Sequence, residues 1–365
     1  MDIQRLARLL EQGAPVVVLD VRPTHEREEW HIPGSLHVDL YDALKRNDPE
    51  ALKDVDLPDD RPIVTVCGAG RTSLTAAEQL RSRGKQAVSL EGGMKAWSLA
   101  FNTAAVSLAG TPAQVIQVRR TGKGCLSYVI GAGGEAAVVD AALPPEVYLR
   151  LAEAHGWRIT HVLDTHIHAD HLSRSRALAE ASDARLFLPE QQRVAFPYEP
   201  VRDGDSLPIG TARLQAIRTP GHTGESTCYL LNDAALFTGD TLFTDGVGRP
   251  DLEASREEAH ARAAALYDSL QRLLQEVPAT AVALPGHMSH PAPFDGSAIG
   301  DTLAAVRDRV EALSLPKEAF VERLLGRIPP TPPNYEHIVA FNEAGVISVE
   351  NILDLEAGAN RCAIS

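Results

Sequence analysis

Apolar and polar positions along the chain fall into two regimes. Over the first hundred residues, short and mostly apolar runs alternate with amphipathic stretches. Val16–Val21, Ile63–Val66 and Gln86–Leu90 read as buried strands. Helical stretches lie between them, such as Ser73–Arg83, which Gly84 ends. An amphipathic helix also opens the chain over Met1–Gly13. This strand–helix–strand rhythm predicts a small parallel sheet flanked by helices. Asn102–Gln114 carries no period and contains Gly110 and Pro112, so residues 102–112 are expected to form a linker.

From Val115 the pattern changes. Ile116–Arg119, Ser127–Ile130 and Ala136–Val139 follow one another with glycines between, as in a meander of strands. Strands and helices then alternate. Strands are predicted at Ile159–Leu163, Ala184–Leu188, Leu214–Ile217, Thr227–Leu231, Ala234–Thr238 and Ala281–Leu284, and helices at Leu172–Ala181 and about Ser255–Gln275. The tail holds a helix at Lys317–Leu325 and a bend rich in proline (Pro329, Pro330, Pro332, Pro333). The chain thus divides into one domain over residues 1–101, a second over 113–314, and a C-terminal extension, 315–365, expected to pack on the second.

Composition narrows the function classes. A chain of 365 residues has room for two or three domains at roughly 150 residues each. With 44% hydrophobic and 23% charged residues it can bury a sizeable core. A net charge of −14 without a basic run excludes a general nucleic-acid binder. No segment reaches the ~18 apolar residues of a membrane span, and the opening helix lacks the features of an export signal. Four cysteines with no CxxC pair read as reduced thiols, so a cytoplasmic protein is expected.

Cys67 ends the Ile63–Val66 run. Gly68, Ala69 and Gly70 follow, then Arg71, Thr72 and Ser73 open a helix. A tight loop at a helix start turns several N–H groups toward one point and stabilises an anion, which favours a thiolate or a persulfide on Cys67. The alternative is a small cysteine packed at a strand end. With Asp20-Val21-Arg22, His31 to Ser35, and Glu91-Gly92-Gly93-Met94 through Trp97, residues 1–100 resemble a single-domain rhodanese. The resemblance implies that Cys67 carries sulfane sulfur and that Gly68, Ala69, Gly70, Arg71 and Thr72 bind the substrate. Thr72 stands where many members have arginine. Asp20, Arg22 and His31 are read as a turn and salt-bridge scaffold.

The second domain concentrates metal chemistry. Thr165-His166-Ile167-His168-Ala169-Asp170-His171 follows a predicted strand, and His222, Asp240 and His287 each follow a later apolar run. Ligands presented at strand ends by glycine-flanked loops make a rigid metal site. Imidazoles and a carboxylate suit zinc, iron or manganese. The ordered set resembles the metallo-β-lactamase superfamily over residues 113–300. The expected architecture is therefore an α/β rhodanese domain followed by an αββα sandwich.

Two finer features, Thr241-Leu242-Phe243 with Gly248-Arg249-Pro250-Asp251, and Ala357-Gly358-Ala359-Asn360-Arg361-Cys362, are similar to persulfide dioxygenases of the ethylmalonic encephalopathy protein family. That resemblance implies one Fe(II) per chain on His166, His222 and Asp240. His168, Asp170, His171 and His287 would stand behind these ligands or hold a second metal, as in a hydrolase with two zinc ions. Arg249 is read either as a clamp for a substrate carboxylate or as the partner of Asp251. Ser289 replaces a tyrosine common in that family. The implied reaction takes a thiol persulfide such as glutathione persulfide, O2 and water to thiol and sulfite, with thiosulfate or sulfite handled at Cys67. The alternatives are a thioester hydrolase similar to glyoxalase II and a non-catalytic sulfur relay or redox sensor. No nucleic-acid or membrane partner is expected; a homo-oligomer is left open.

Overall fold

The computed structural model describes residues 1–346, 352–356 and 361–364. Residues 357–360, part of the tail motif above, lie outside the described residues. The first domain is a parallel sheet ordered Leu36–His37, Val17–Asp20, Ile63–Val66, Ala87–Ser89. Its central strands are almost wholly buried because helices cover both faces. One face packs Leu19, Ile63, Ala76 and Leu80; the other packs Leu6, Val18, Val64 and Trp97.

The second domain is an αββα sandwich. A seven-stranded sheet runs from Glu199–Val201 through Arg185–Pro189, Arg158–Leu163, Glu135–Val139, Cys125–Ala132 and Gln114–Arg120 to Asn102–Val106. A six-stranded sheet runs from Ser206–Ile209 through Ala212–Arg218, Thr227–Leu231, Ala235–Gly239 and Val282–Pro285 to Asp301–Thr302. Their inner faces share one core, including Tyr128, Ile130, Leu163, Leu214, Tyr229, Phe237 and Leu284. Pro145–Ala154 and Ser175–Ser182 cover one outer face. Arg256–Glu276, Leu303–Arg309 and Lys317–Gly326 cover the other. The long helix starts at a capping box in which Ser255 and Glu258 satisfy each other's backbone N–H. Among the described residues no helix is long and apolar enough to cross a membrane.

Three expectations need correction. The expected linker is partly a strand: Asn102–Val106 pairs antiparallel with Gln114–Arg120 as the sheet's edge. The helix expected from Leu172 begins only at Ser175. The preceding turns are held open by side chains, with Leu172 N–H donating to Glu356 Oε1 (2.8 Å) and Ser173 N–H to Asn342 Oδ1 (2.9 Å). The tail packs on both domains, not one. Ala363–Ile364 pairs with Val247–Gly248, while Asp354 meets Lys95 and Arg361 meets Glu29 (3.0 Å) in the first domain. Trp30 Nε1 donates to Thr121 O (3.2 Å) across the same junction.

Candidate functional site

Cys67 is buried where strand meets helix. Gly70 N–H donates to its sulfur at 3.1 Å, and Ser73 Oγ lies 3.2 Å away. Burial pushes the thiol up, but the Ser73 and Thr72 hydroxyls and nearby backbone N–H groups outweigh it and leave the thiol more acidic than usual. The loop is cramped: a Cβ on Gly93 (φ +58°) would sit 2.2 Å from Cys67 O and 2.7 Å from Gly70 N. Arg71 and Thr72 line the cavity over the sulfur. Asp20 and Arg22 form the expected scaffold, as a buried pair at 2.7 Å with Arg22 also donating to Trp30 O.

In the second domain His166, His222 and Asp240 come together, each offering one donor atom within 4.8 Å of the others. The three lie on loops after different strands. His166 Nδ1 is held by Thr165 Oγ1 (2.9 Å), whose hydroxyl donates to Asp140 Oδ2 (2.9 Å). His222 Nδ1 donates to Arg249 O (2.8 Å). Both rings are thereby fixed with Nε2 inward. Asp240 accepts at Oδ1 from His287 Nδ1 (2.6 Å) and points Oδ2 at the two imidazoles, 3.9 Å from His166 Nε2 and 3.6 Å from His222 Nε2. Among the described residues, His166 Nε2 and Asp240 Oδ2 are buried with no hydrogen-bond partner. Donors about 2.1 Å from one ion stand roughly 3–3.5 Å apart, so these residues fit a metal after a small contraction. Burial and the neighbouring imidazoles keep His166 well below its usual range, hence neutral and able to ligate.

The remaining motif residues separate. His168 Nε2 lies 3.2 Å from Asp140 Oδ1 and groups with Asp140 and Asp164, while its ring stays 4.4 Å from that of His166. Asp170, His171 and His287 form a second group, which Cys125 completes. His287 uses both nitrogens, Nδ1 toward Asp240 and Nε2 toward Asp170 Oδ2 (2.9 Å). Burial opposes its charge, but the two carboxylates win and hold it protonated. Cys125 donates to Asp170 Oδ2 (3.3 Å), and His171 Nδ1 to Asp170 Oδ1 (3.0 Å). Burial and Asp170 raise the Cys125 thiol, yet the His171 charge and the hydrogen-bonding His171 and His287 rings bring it down to about 7.

Arg249 is engaged within the protein. It is wholly buried, and all five donors are used: Nε and Nη2 on Asp251 (2.8 Å each), the others on the carbonyls of Pro329, Pro330 and Arg361. The Asp251 pairing read as its alternative is the arrangement seen. Sequence reasoning missed Cys125, Asp140 and Asp164. No local signal marks them, because their partners lie far along the chain. Asn342, which holds the His168 and His171 carbonyls, was missed for the same reason.

The model of the Rhodanese-like domain matches residues 2–100, and that of the Metallo-beta-lactamase superfamily matches residues 120–287. The chain belongs to the metallo-beta-lactamase superfamily, with a rhodanese domain joined to its N-terminal side. Among solved structures, ETHE1 from Myxococcus xanthus is 30% identical with a TM-score of 0.55, over 63% of this chain and 97% of that one. A metallo-beta-lactamase from Staphylococcus aureus is 26% identical with a TM-score of 0.59, over 66% of this chain and 75% of that one. Curated relatives include a hydroxyacylglutathione hydrolase of Rhodospirillum rubrum, 37% identical over 159 residues (43% of this chain, 58% of that protein). Another, from Rhizobium johnstonii, is 40% identical over 120 residues (32% and 46%). The chain spans about half the length of these curated relatives.

Proposed function

We propose that this protein is an iron-dependent persulfide dioxygenase coupled to a rhodanese-type sulfurtransferase, with Cys67 as the sulfur carrier. The reaction is thiol persulfide + O2 + H2O → thiol + sulfite. The observation that carries this reading is the separation of donors. Two imidazoles and one carboxylate converge on a point, while His168 faces Asp140 and His287 is spent between two carboxylates. Such a set suits one ion with vacant positions on one side. His166, His222 and Asp240 would hold the ferrous ion, which would supply the redox chemistry that joins O2 to the substrate sulfur.

The chain's own residues do the rest. Thr165 and the Arg249 carbonyl orient the two imidazoles, and His287 holds a proton against Asp240 Oδ1, which leaves Oδ2 as the single donor. Burial of all three ligands keeps bulk water out. The likeness to ETHE1 supports the same reading. A fused sulfur carrier makes chemical sense, since sulfite is both the product here and the leaving group when thiosulfate loads Cys67.

The test is oxygen uptake with glutathione persulfide by protein carrying one iron per chain, with sulfite formed in equal amount. No uptake by iron-loaded protein overturns the proposal. A second reading, a thioester hydrolase with two zinc ions, is favoured by the names of the curated relatives and by the Cys125, Asp170, His171 and His287 group beside the first. It predicts two metals per chain and cleavage of S-lactoylglutathione without oxygen.

A further inference from the structure

We infer that Glu225 is a positioning residue for the metal centre, holding the His166 and His222 loops at the spacing one ion needs. This rests on His166 and His222 being metal ligands, as proposed above. The segment around His222 folds back on itself. Gly221 N–H donates to Thr223 O (2.9 Å), Thr223 N–H to Ser226 Oγ (3.1 Å) and Thr219 N–H to Ser226 O (2.8 Å). His222 and Glu225 therefore belong to one tight turn. Two hydrogen bonds tie the end of that turn to the chain on either side of His166. Thr227 N–H donates to Thr165 O (3.0 Å), and Ile167 N–H donates to Glu225 Oε1 (3.1 Å). The two imidazoles are left with ring centroids 5.0 Å apart and planes nearly perpendicular, at 84°.

The first tie is backbone to backbone, and the second depends on one side chain. Glu225 is only 6% exposed, which is uncommon for a carboxylate. Arg193 Nη1 lies 3.8 Å from its Oε2, too far for a hydrogen bond, and Arg193 gives its short contacts to Glu253 (2.7 Å) and Glu343 (2.6 Å). The close contact of the Glu225 carboxylate is thus a backbone N–H set between two motif histidines, where a carboxylate is a strong acceptor. Ile167 is not free to swing away, because its side chain packs among Val194, Leu252 and Val339. The tie therefore depends on reach more than on charge. A side chain one methylene shorter withdraws the acceptor from Ile167, whereas an amide of the same length still meets it.

The experiment strips the full-length protein of metal and titrates it with Co(II), whose visible absorption bands report the arrangement of its ligands. Wild type is expected to bind Co(II), and His166→Ala to bind it at least about tenfold more weakly. Glu225→Asp keeps the charge and loses the reach. Its dissociation constant should rise about tenfold or more, with shifted bands. Glu225→Gln keeps the reach and loses the charge. It should stay within about threefold of wild type, with unshifted bands. Glu225→Asp binding as tightly as Glu225→Gln, or showing the wild-type bands, would overturn the positioning role whatever its Tm. If wild type binds no Co(II), or His166→Ala binds it as well as wild type does, the ligand reading itself fails.

Discussion

Replacing Arg249 by alanine should cost stability rather than substrate affinity. The side chain is fully buried and its five N–H donors meet a carboxylate and three backbone carbonyls. Removing it strands those acceptors together. Breaking a buried ion pair from one side costs about 3–5 kcal/mol. Asp251 keeps 18% of its side-chain surface in water and recovers part of its hydration, so a value near the lower end, about 3 kcal/mol, is expected. For a domain of this size that lowers Tm by about 6–12 °C. Arg249→Lys, with three donors in place of five, should fall between. Calorimetry gives the Tm, and persulfide titration gives KM on the same samples. A Tm within about 2 °C of wild type together with a raised KM would refute the reasoning and restore Arg249 as a substrate clamp.

Asp240→Asn removes the only carboxylate among the three converging ligands and leaves the His287 charge facing an amide. Bound iron, read by elemental analysis, should fall at least about tenfold, and an unchanged one ion per chain would contradict the site. Burial raises the Glu356 carboxyl, but Arg120 and Arg174 lower it further, from an ordinary 4.5 to about 2. The folded state therefore holds the charged form, and the stabilisation, of order 3 kcal/mol, is complete above the unfolded value and lost as pH falls toward 2. The Tm advantage of wild type over Glu356→Gln should accordingly shrink between about pH 6 and about pH 3, and a constant gap would refute it. Gly122→Ala would put a Cβ 1.7 Å from Trp97 O at the junction of the domains. Two separate calorimetric transitions are expected in place of the wild-type profile, and an unaltered trace would count against a rigid junction.

How much the sequence reveals depends on how local each signal is. Cys67, His166, His222 and Asp240 were legible because each follows a buried strand, and all but His166 have a glycine beside them, so pattern and chemistry coincide. The central strands were legible for the same reason: both neighbours bury them, and their apolar runs are unbroken. Asn102–Val106 was not. As an edge strand it buries alternate residues only, and a five-residue alternation ending in a polar stretch does not stand out. The delayed helix start after His171 was illegible because tail residues, Asn342 and Glu356, hold the intervening N–H groups. The roles of His168 and Arg249 were undecidable for a related reason. Spacing orders the ligands along the chain, but only the folded chain shows that Asp140 takes one and that the Pro329–Pro330 bend takes the other.

The junction between domains lies directly behind the metal centre. Trp30, which lines the Cys67 cavity, packs against Gly124 and Met288; a Cβ on Gly124 would stand 3.0 Å from its ring and 3.2 Å from Met288 O. The next residues inward are Cys125 and His287, which pair across a β-bridge and belong to the second donor group. A third segment repeats the pattern: Arg361 pairs with Glu29 of the first domain, and its neighbour Cys362 groups with Asp240 and His287. One residue thus separates first-domain contacts from metal-centre residues on three different stretches of chain. Close packing transmits displacement between such neighbours because interiors have little free volume to absorb it. First-domain contacts therefore reach to within one residue of His287, the residue that fixes which oxygen of Asp240 faces the imidazoles.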